Sequence, residues 1–320
     1  MSTTKKTLVV LAGILLALLL LLAGALLFLR WQIGSKITHI PEALPEVSVA
    51  EEVEGDQVNI LVLGSDSRES GGDPNDWTYG GQRSDSMMLV QIAGNREHVN
   101  IMSLPRDSWV EVPGNGKAKI NAAFSWGGAP LTIQTVEQVT GIPVDHIAIV
   151  DFTGFEELTN QLGGVTIETK DGPVTMNGER ALEFVRERYT LPNGDFDRMR
   201  RQQAWMKAIM QRVLQRDVLT SPTQIYSLTQ TLLENSAVDE GMTVEYLTGL
   251  AFSLRDLRAG DVNFFTAPYA GIDMTPDGQS IVLLDEDGLA LVTEAWRNDE
   301  VHEFLQSGVE VETLGSRPIE

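Results

Sequence analysis

VNILVL at residues 58–63, SMMLVQIA at 86–93 and VNIMSL at 99–104 are the stretches that decide the fold class. Each is short and rich in apolar side chains, and each is followed by glycine, proline or charged residues, which predicts three early β-strands. Further strands are predicted at Ile147–Val150, at Val165–Glu168, and from Val262 and Ser280 onward.

Helical patterns alternate with these strands along the chain. They are predicted at Leu131–Val139, Gly154–Leu162, Asn177–Val185, from Asp195 or Asp197 to Leu214, at Pro222–Leu233 and Val244–Leu254, and through Trp296. Asn177 is a predicted N-cap, as is Asp195 or Asp197 for the following helix. Because strands and helices interleave, we predict the α/β class, an α/β/α sandwich with a central mixed sheet. The strand order is not specified by the sequence.

The segment Leu8–Leu29 contains no charged residue and would form about 33 Å of helix, which matches a bilayer core of roughly 30 Å. It is longer than the apolar region of a cleavable signal peptide. Two lysines precede it and two basic residues follow it, so charge does not decide the orientation, whereas the short tail places the large part outside. We therefore predict a single-pass protein of the cell membrane. Its segments are a cytoplasmic tail at 1–7, a transmembrane helix that acts as a signal-anchor at 8–29, an extracytoplasmic stalk at 30–57 and an extracytoplasmic domain at 58–320.

Composition excludes several classes of function. The net charge is −21, which makes nucleic acid an unsuitable partner. Cysteine is absent, so disulfides, thiolate metal sites and cysteine nucleophiles are excluded. The four histidines lack the spacing of a zinc site. Neither a Gly-x-Ser-x-Gly motif nor a P-loop occurs.

Basic residues are concentrated in one part of this acidic chain. Nine Arg or Lys residues lie between Arg180 and Arg216, against four acidic residues. Two interpretations stay open: a solvated helix face with local ion pairs, or an anion site. Arg198 and Gln202 are four residues apart and share one helix face. Arg186 and Arg188 are two apart, so we expect a helix to end near Arg186.

Charged residues also lie at the ends of the predicted strands, where open α/β sheets place their ligands. They are Asp66, Asp85, Arg106 and Asp107. Asp85 comes just before a strand, and the others come just after one. Asp66 and Asp85 are suited to one hard cation such as Mg²⁺, which binds few protein carboxylates and leaves positions for phosphate oxygens. Ion pairing of Asp66 with Arg68 and of Asp85 with Arg83 is the alternative.

Five blocks in order resemble the LytR-CpsA-Psr family of bacterial cell-wall proteins, over about Val58–Gln215. They are GSDSR (64–68), RSDSMMLV (83–90), SLPRDSWVEVPGNGKAKINAAFSWGG (103–128), DFTGFEELTNQLGGV (151–165), and NGERALEFVRER (177–188) followed by GDFDRMRRQQ (194–203). The insert Glu69–Gly81 departs from the pattern, and no diagnostic block follows Pro222.

The resemblance implies a transferase of cell wall biogenesis. It would move a glycopolymer (teichoic acid, capsule or arabinogalactan type) from a polyprenyl pyrophosphate carrier, held in an apolar tunnel, to a peptidoglycan hydroxyl with Mg²⁺ (magnesium) as cofactor. The implied metal ligands are Asp66 and Asp85. The implied pyrophosphate-binding residues are Arg83, Arg106, Lys119, Arg186, Arg188, Arg198 and Gln202. Arg106 is expected to be catalytic, and Asp107 or Asp195 to accept the hydroxyl proton, a choice that stays open.

Two alternatives use the same residues differently. A polyprenyl pyrophosphate hydrolase would replace the sugar hydroxyl with water, and product analysis separates the two. A non-catalytic protein that binds wall polymer or regulates the envelope would keep its function without Asp66 and Asp85.

Overall fold

Seven strands form a mixed sheet at the centre of the structure. The computed structural model describes residue 34 and residues 37–53, 55–65, 86–187, 190–219, 221–309, 311–315 and 317–320. The strands in these ranges are β1 Thr38–Ile40, β2 Val58–Ser65, β3 Ser86–Ile92, β4 Val99–Ser103, β5 Trp109–Val112, β6 Gly116–Lys119, β7 His146–Asp151, β8 Val165–Thr169, β9 Gly172–Met176, β10 Ser236–Asp239, β11 Val262–Thr266, β12 Tyr269–Met274 and β13 Ser280–Leu284. The central order is β1-β10-β7-β2-β3-β4-β11, and β5–β6, β8–β9 and β12–β13 form separate two-stranded sheets.

Strand direction brings several loops to one edge of the sheet. β2 is parallel to β7 and β4 is parallel to β11, whereas β3 is antiparallel to both β2 and β4. The carboxyl ends of β2, β4, β7 and β11 therefore lie at the same edge as the amino end of β3. At this edge Gly64 pairs with Ser86, and Ser65 pairs with Asp151.

Helices cover both faces of the central sheet, which confirms the predicted α/β/α arrangement. They are α1 Ala122–Thr140, α2 Phe152–Gln161, α3 Gly178–Arg186, α4 Asp195–Val213, α5 Arg216–Leu219, α6 Pro222–Glu234, α7 Val244–Ser253, α8 Glu286–Arg297 and α9 Val301–Gln306. Leu61 and Leu63 of β2 pack in a core cluster with α1 and α8. Ile60, from the opposite face of β2, belongs to a cluster that includes residues of α4 and α7. This alternation is the period-two pattern of a strand buried on both faces.

The predicted helix Leu131–Val139 is only the second half of α1. The helix begins at Ala122 and is interrupted at Gly127 and Gly128, where Gly128 adopts φ 61° and ψ −151°. Glycine tolerates this conformation because it has no Cβ. The helical pattern was therefore visible only after the break.

The central sheet begins inside the segment predicted as a stalk. β1 pairs in parallel with β10, and Ile40 and Ala43 are buried in the core. Further along, Glu137 accepts hydrogen bonds from Ser48 Oγ at 2.9 Å and from Val49 N at 3.0 Å. The segment from Thr38 onward is thus packed against the domain. A three-residue strand whose partner lies about two hundred residues away leaves no local periodicity to detect.

The predicted transmembrane helix at residues 8–29 lies outside the described residues. Within the described ranges, no helix combines the length and apolarity needed to cross a bilayer. The anchor therefore stays a prediction.

Candidate functional site

The turn after β4 begins the candidate site. Ser108 N and Ser108 Oγ donate to Pro105 O at 2.9 and 2.7 Å, which closes the turn that carries Arg106 and Asp107. Ile120 N donates to Ser108 O at 2.8 Å. Lys119, the last residue of β6, therefore lies beside the turn. This is the strand end at which open α/β sheets bind ligands.

Three cationic side chains and two carboxylates meet at this point. Asp195 Oδ1 lies 2.7 Å from Arg198 Nη2 and 3.3 Å from Arg106 Nη2. Asp107 Oδ1 lies 2.9 Å from Lys119 Nζ, and Asp107 Oδ2 lies 3.9 Å from Arg106 Nε. Arg106 joins the two carboxylates into one group. We call these five residues the charge cluster.

The charge cluster is partly withdrawn from water, and its guanidinium groups lie deeper than its carboxylates. The side chain of Arg198 is 9% exposed and that of Arg106 14%, against 33% for Asp195 and 23% for Asp107. Charges interact more strongly in such surroundings than at the surface because the effective dielectric constant is lower. Three cations oppose two carboxylates, so the surplus positive charge suits an anionic ligand such as phosphate.

The structure separates the basic residues of 180–216 into different roles. Arg198 and Arg200 are buried, whereas Arg212 pairs at the surface with Asp217 at 2.9 Å. Arg201 donates to Phe184 O at 2.9 Å, and its guanidinium lies 3.9 Å from the Phe184 ring centre. A solvated helix face therefore describes Arg212 but not Arg198 or Arg200, and Arg201 packs α4 onto α3.

Gly194, not Asp195 or Asp197, is the N-cap of α4. Gly194 has φ 53° and ψ −115°, and Asp195 is the first helical residue. Asp197 turns back to accept from Asn193 N at 3.0 Å. Burial raises the pKa of Asp197, but hydrogen bonds from Asn193 and Arg317 outweigh it, so the net pKa lies below 3.8. The predicted cap was wrong because Asp197 closes the preceding loop instead.

Buried polar contacts hold α4 over the ends of the strands. Gln203 Nε2 donates to Ser103 Oγ at 2.7 Å and to Phe265 O at 3.2 Å, which ties the helix to β4 and β11. Trp205 Nε1 donates to Thr159 Oγ1 of α2 at 2.9 Å. Arg198, five residues before Gln203 on the same helix, is thereby placed near the end of β4.

The C-terminal residues close over the same helix. Arg200 Nη1 donates to Glu312 Oε1 and Thr313 O, both at 3.1 Å. Arg317 Nε donates to Glu312 Oε1 at 2.8 Å, and Arg317 Nη1 also binds Asp197. Two arginines and two carboxylates thus neutralise one another beside the first turn of α4.

The other predicted site residues have no contact with the charge cluster among those described above. Gln202 is buried on α4, one turn after Arg198, and Arg186 is the last residue of α3, where the helix was expected to end. Their grouping with the charge cluster stays a prediction. Asp66, Arg83, Asp85 and Arg188 lie outside the described residues. In the part of the chain that is described, no group of three or more acidic or histidine side chains is arranged to hold a metal ion.

A cleft of about 770 Å³ opens beside the charge cluster. One wall is the loop Pro192–Phe196 with Asp107, and the opposite wall comes from the β12–β13 hairpin and the C-terminal segment. Tyr269, Val282 and Arg317 line that wall. None of the three was predicted, because no motif marks the chain after Pro222 and their position depends on tertiary packing.

Comparisons with known proteins agree with this architecture. A model described as LytR_cpsA_psr family matches residues 33–298. The polyisoprenyl-teichoic acid–peptidoglycan teichoic acid transferase TagU of Enterococcus faecalis is 29% identical, covering 93% of this chain and 98% of TagU. The cell wall biosynthesis protein LcpA of Corynebacterium glutamicum is 28% identical, and the alignment covers 78% of this chain but only 55% of LcpA.

Solved structures share the fold. The B. subtilis protein TagT is 25% identical, with a TM-score of 0.60 over 82% of this chain and 99% of TagT. A structure of TagT bound to LI-WTA is 26% identical, with a TM-score of 0.61 over 82% of this chain and 98% of that chain. Protein gbs0355 from Streptococcus agalactiae, at 23% identity, has a TM-score of 0.65 over 78% of this chain and 91% of its own. By the family match over most of its length, by its sheet and by the residues at its strand ends, this chain is a member of the LytR_cpsA_psr family.

Proposed function

We propose that this chain transfers a glycopolymer from a polyprenyl pyrophosphate carrier to a hydroxyl group of peptidoglycan. The charge cluster carries the proposal: Arg106, Lys119 and Arg198 converge on one partly buried point beside an open cleft. The names of TagU and LcpA, a teichoic acid transferase and a cell wall biosynthesis protein, support the same class of reaction.

The reaction breaks the phosphoanhydride bond of the carrier and forms a phosphodiester bond between the glycopolymer and the acceptor. The acceptor oxygen attacks the phosphorus that bears the glycopolymer, the bond to the bridging oxygen breaks, and polyprenyl monophosphate leaves. The hydroxyl proton passes to a carboxylate, for which we propose Asp107 or Asp195. Arg106 and Arg198 hold the diphosphate oxygens and neutralise charge that develops there, the main contribution a protein makes to phosphoryl transfer.

A magnesium ion held by Asp66 and Asp85 is part of the proposal. The neighbouring described residues are consistent with such a site. Gly64, two residues before Asp66, pairs across β2 and β3 with Ser86, the residue after Asp85. Two carboxylates are the kind of oxygen donor set that Mg²⁺ prefers. When bound, the ion would add positive charge at the diphosphate.

The predicted anchor at residues 8–29 supports the choice of a lipid-linked donor. An apolar stretch of that length holds a protein at the bilayer surface, where a polyprenyl carrier also resides. We therefore propose a single-pass cell membrane protein with its C-terminal domain outside the membrane.

Arginine variants test the function directly. We expect Arg106→Ala and Arg198→Ala to lower the rate of polymer attachment at least about 100-fold, the loss seen when one donor to a developing anion is removed. Arg212→Ala is the matched control, because Arg212 lies on the same helix but pairs with Asp217 at the surface. Attachment at the wild-type rate by either site variant would contradict the assignment.

A further inference from the structure

The cleft between the loop Pro192–Phe196 and the β12–β13 hairpin differs in chemistry from the cationic part of the charge cluster, Arg106, Lys119 and Arg198, none of which lines it. Asp107 and Asp195 reach its surface, and they are more exposed than Arg106 and Arg198. The third charged lining residue, Arg317, already binds Asp197 and Glu312. A diphosphate would meet two carboxylates here, whereas an uncharged ligand rich in hydroxyl groups would meet hydrogen-bond acceptors.

An aromatic surface completes this lining. The rings of Tyr269 and Phe196 stack with their centres 4.4 Å apart and an angle of 26° between planes. Phe196 is 6% exposed, so Tyr269 presents the more accessible ring to the cleft. Tyr269 Oη donates to Glu312 Oε2 at 3.2 Å, which fixes the ring. A fixed aromatic ring beside polar groups is the arrangement that binds an amphipathic ligand with one apolar face.

Backbone contacts also join the β12–β13 hairpin to Asp107, a proposed proton acceptor. Val282 N donates to Asp107 O at 2.9 Å, and Ser108 forms an isolated parallel bridge with Val282. A ligand lying on the hairpin wall is therefore held at a defined distance from the Asp107 carboxylate.

We propose that this cleft is the acceptor subsite, which binds a sugar residue of the peptidoglycan glycan strand with one ring face on Tyr269 and its hydroxyl edge toward Asp107 and Asp195. This assignment rests on the proposed transfer reaction, because an attacking hydroxyl must lie within hydrogen-bond reach of its base. The hairpin and the C-terminal segment thereby contribute to substrate binding, although Arg317 lies beyond the residues 33–298 that the family model matches.

Binding of a peptidoglycan tetrasaccharide of alternating N-acetylglucosamine and N-acetylmuramic acid to the purified full chain tests the subsite. Tyr269→Ala is expected to weaken binding about tenfold, the loss of a contact comparable to an aromatic pair. Tyr269→Phe keeps the ring and its stacking on Phe196 and loses only the hydrogen bond to Glu312, so its loss of affinity should be clearly smaller than that of Tyr269→Ala. Tyr226→Ala, on α6 and away from the cleft, is the matched control and should also leave binding unchanged.

Steady-state transfer kinetics separate acceptor from donor. Tyr269→Ala should raise the KM for peptidoglycan about tenfold while leaving the KM for the lipid-linked donor unchanged. A change confined to the donor KM, or tetrasaccharide binding that is independent of Tyr269, overturns the assignment even if transfer proceeds. If the wild type binds the tetrasaccharide through Tyr269 but transfers nothing, the proposed function fails and the glycan subsite stands.

Discussion

Asp239 shows how one buried carboxylate joins distant parts of the sheet. It is 1% exposed and accepts from Ile147 N at 3.0 Å and Gly241 N at 2.8 Å, while His146 Nδ1 lies 3.1 Å from each oxygen. Burial raises its pKa, but hydrogen bonds from His146, Ile147 and Gly241 outweigh burial and leave the pKa below 3.8.

We expect Asp239→Ala to lower the free energy of unfolding by about 3 kcal/mol at pH 7, because the buried partners lose their acceptor. Since the folded pKa is depressed, this contribution is complete above about pH 4 and is lost as the pH falls through the folded value. Urea unfolding at pH 7 and pH 3 measures it, and the difference between variant and wild type should shrink at pH 3. Asp256→Ala, whose side chain is 81% exposed, is the control. An unchanged difference at the two pH values would refute the linkage.

At the scale of elements, the start of α4 determines where the charge cluster lies. Gly194 adopts a conformation that a side chain rarely allows, and the next residue, Asp195, is bound by Arg106 and Arg198. A shift of this turn would move the carboxylate that joins the two arginines.

We expect Gly194→Ala to destabilise the protein by about 1–3 kcal/mol, the range for a residue forced into a sparsely populated backbone conformation, and to slow transfer. Gly249→Ala is the control: Gly249 lies within α7 with open space around its Cβ position, and alanine there should stabilise by up to about 1 kcal/mol. Denaturant unfolding gives both values. Equal effects of the two substitutions would contradict the strain at Gly194.

The sequence predicted most of the regular elements, and for identifiable reasons. β2, β3 and β4 are continuous apolar runs, and α3 carries an N-cap at Asn177 whose side chain accepts from Arg180 N at 3.1 Å. β1, β5, β6, β9, β10, β12, α5 and α9 were not predicted, since they are short, and β1 and β10 form only through pairing with distant segments. In the site, Arg106, Asp107, Lys119, Asp195 and Arg198 were predicted from motifs and strand ends. Tyr269 and Arg317 follow no local pattern and enter the cleft only through the fold.

At the scale of the whole molecule, the described segment between Thr38 and Val49 belongs to the domain. A chain that starts at Val58 loses β1, the buried Ile40 and Ala43, and the bonds of Ser48 and Val49 to Glu137. Burial of one isoleucine side chain alone is worth about 1.5–3 kcal/mol. We therefore expect the chain that starts at Val58 to unfold at a clearly lower urea concentration than a chain that starts at Ile37. Coincident unfolding curves would show that the segment adds nothing to stability.

Transfer of a labelled phosphate tests the central claim most directly. A polyprenyl pyrophosphate-linked glycan carrying ³²P in the phosphate next to the sugar is incubated with the purified full chain, Mg²⁺ and peptidoglycan. We predict that the label becomes covalently bound to peptidoglycan while polyprenyl monophosphate forms in equal amount. Release of the label as free glycan phosphate would identify a hydrolase, and label that stays entirely on the lipid would identify a binding protein; either result would contradict the proposed transferase.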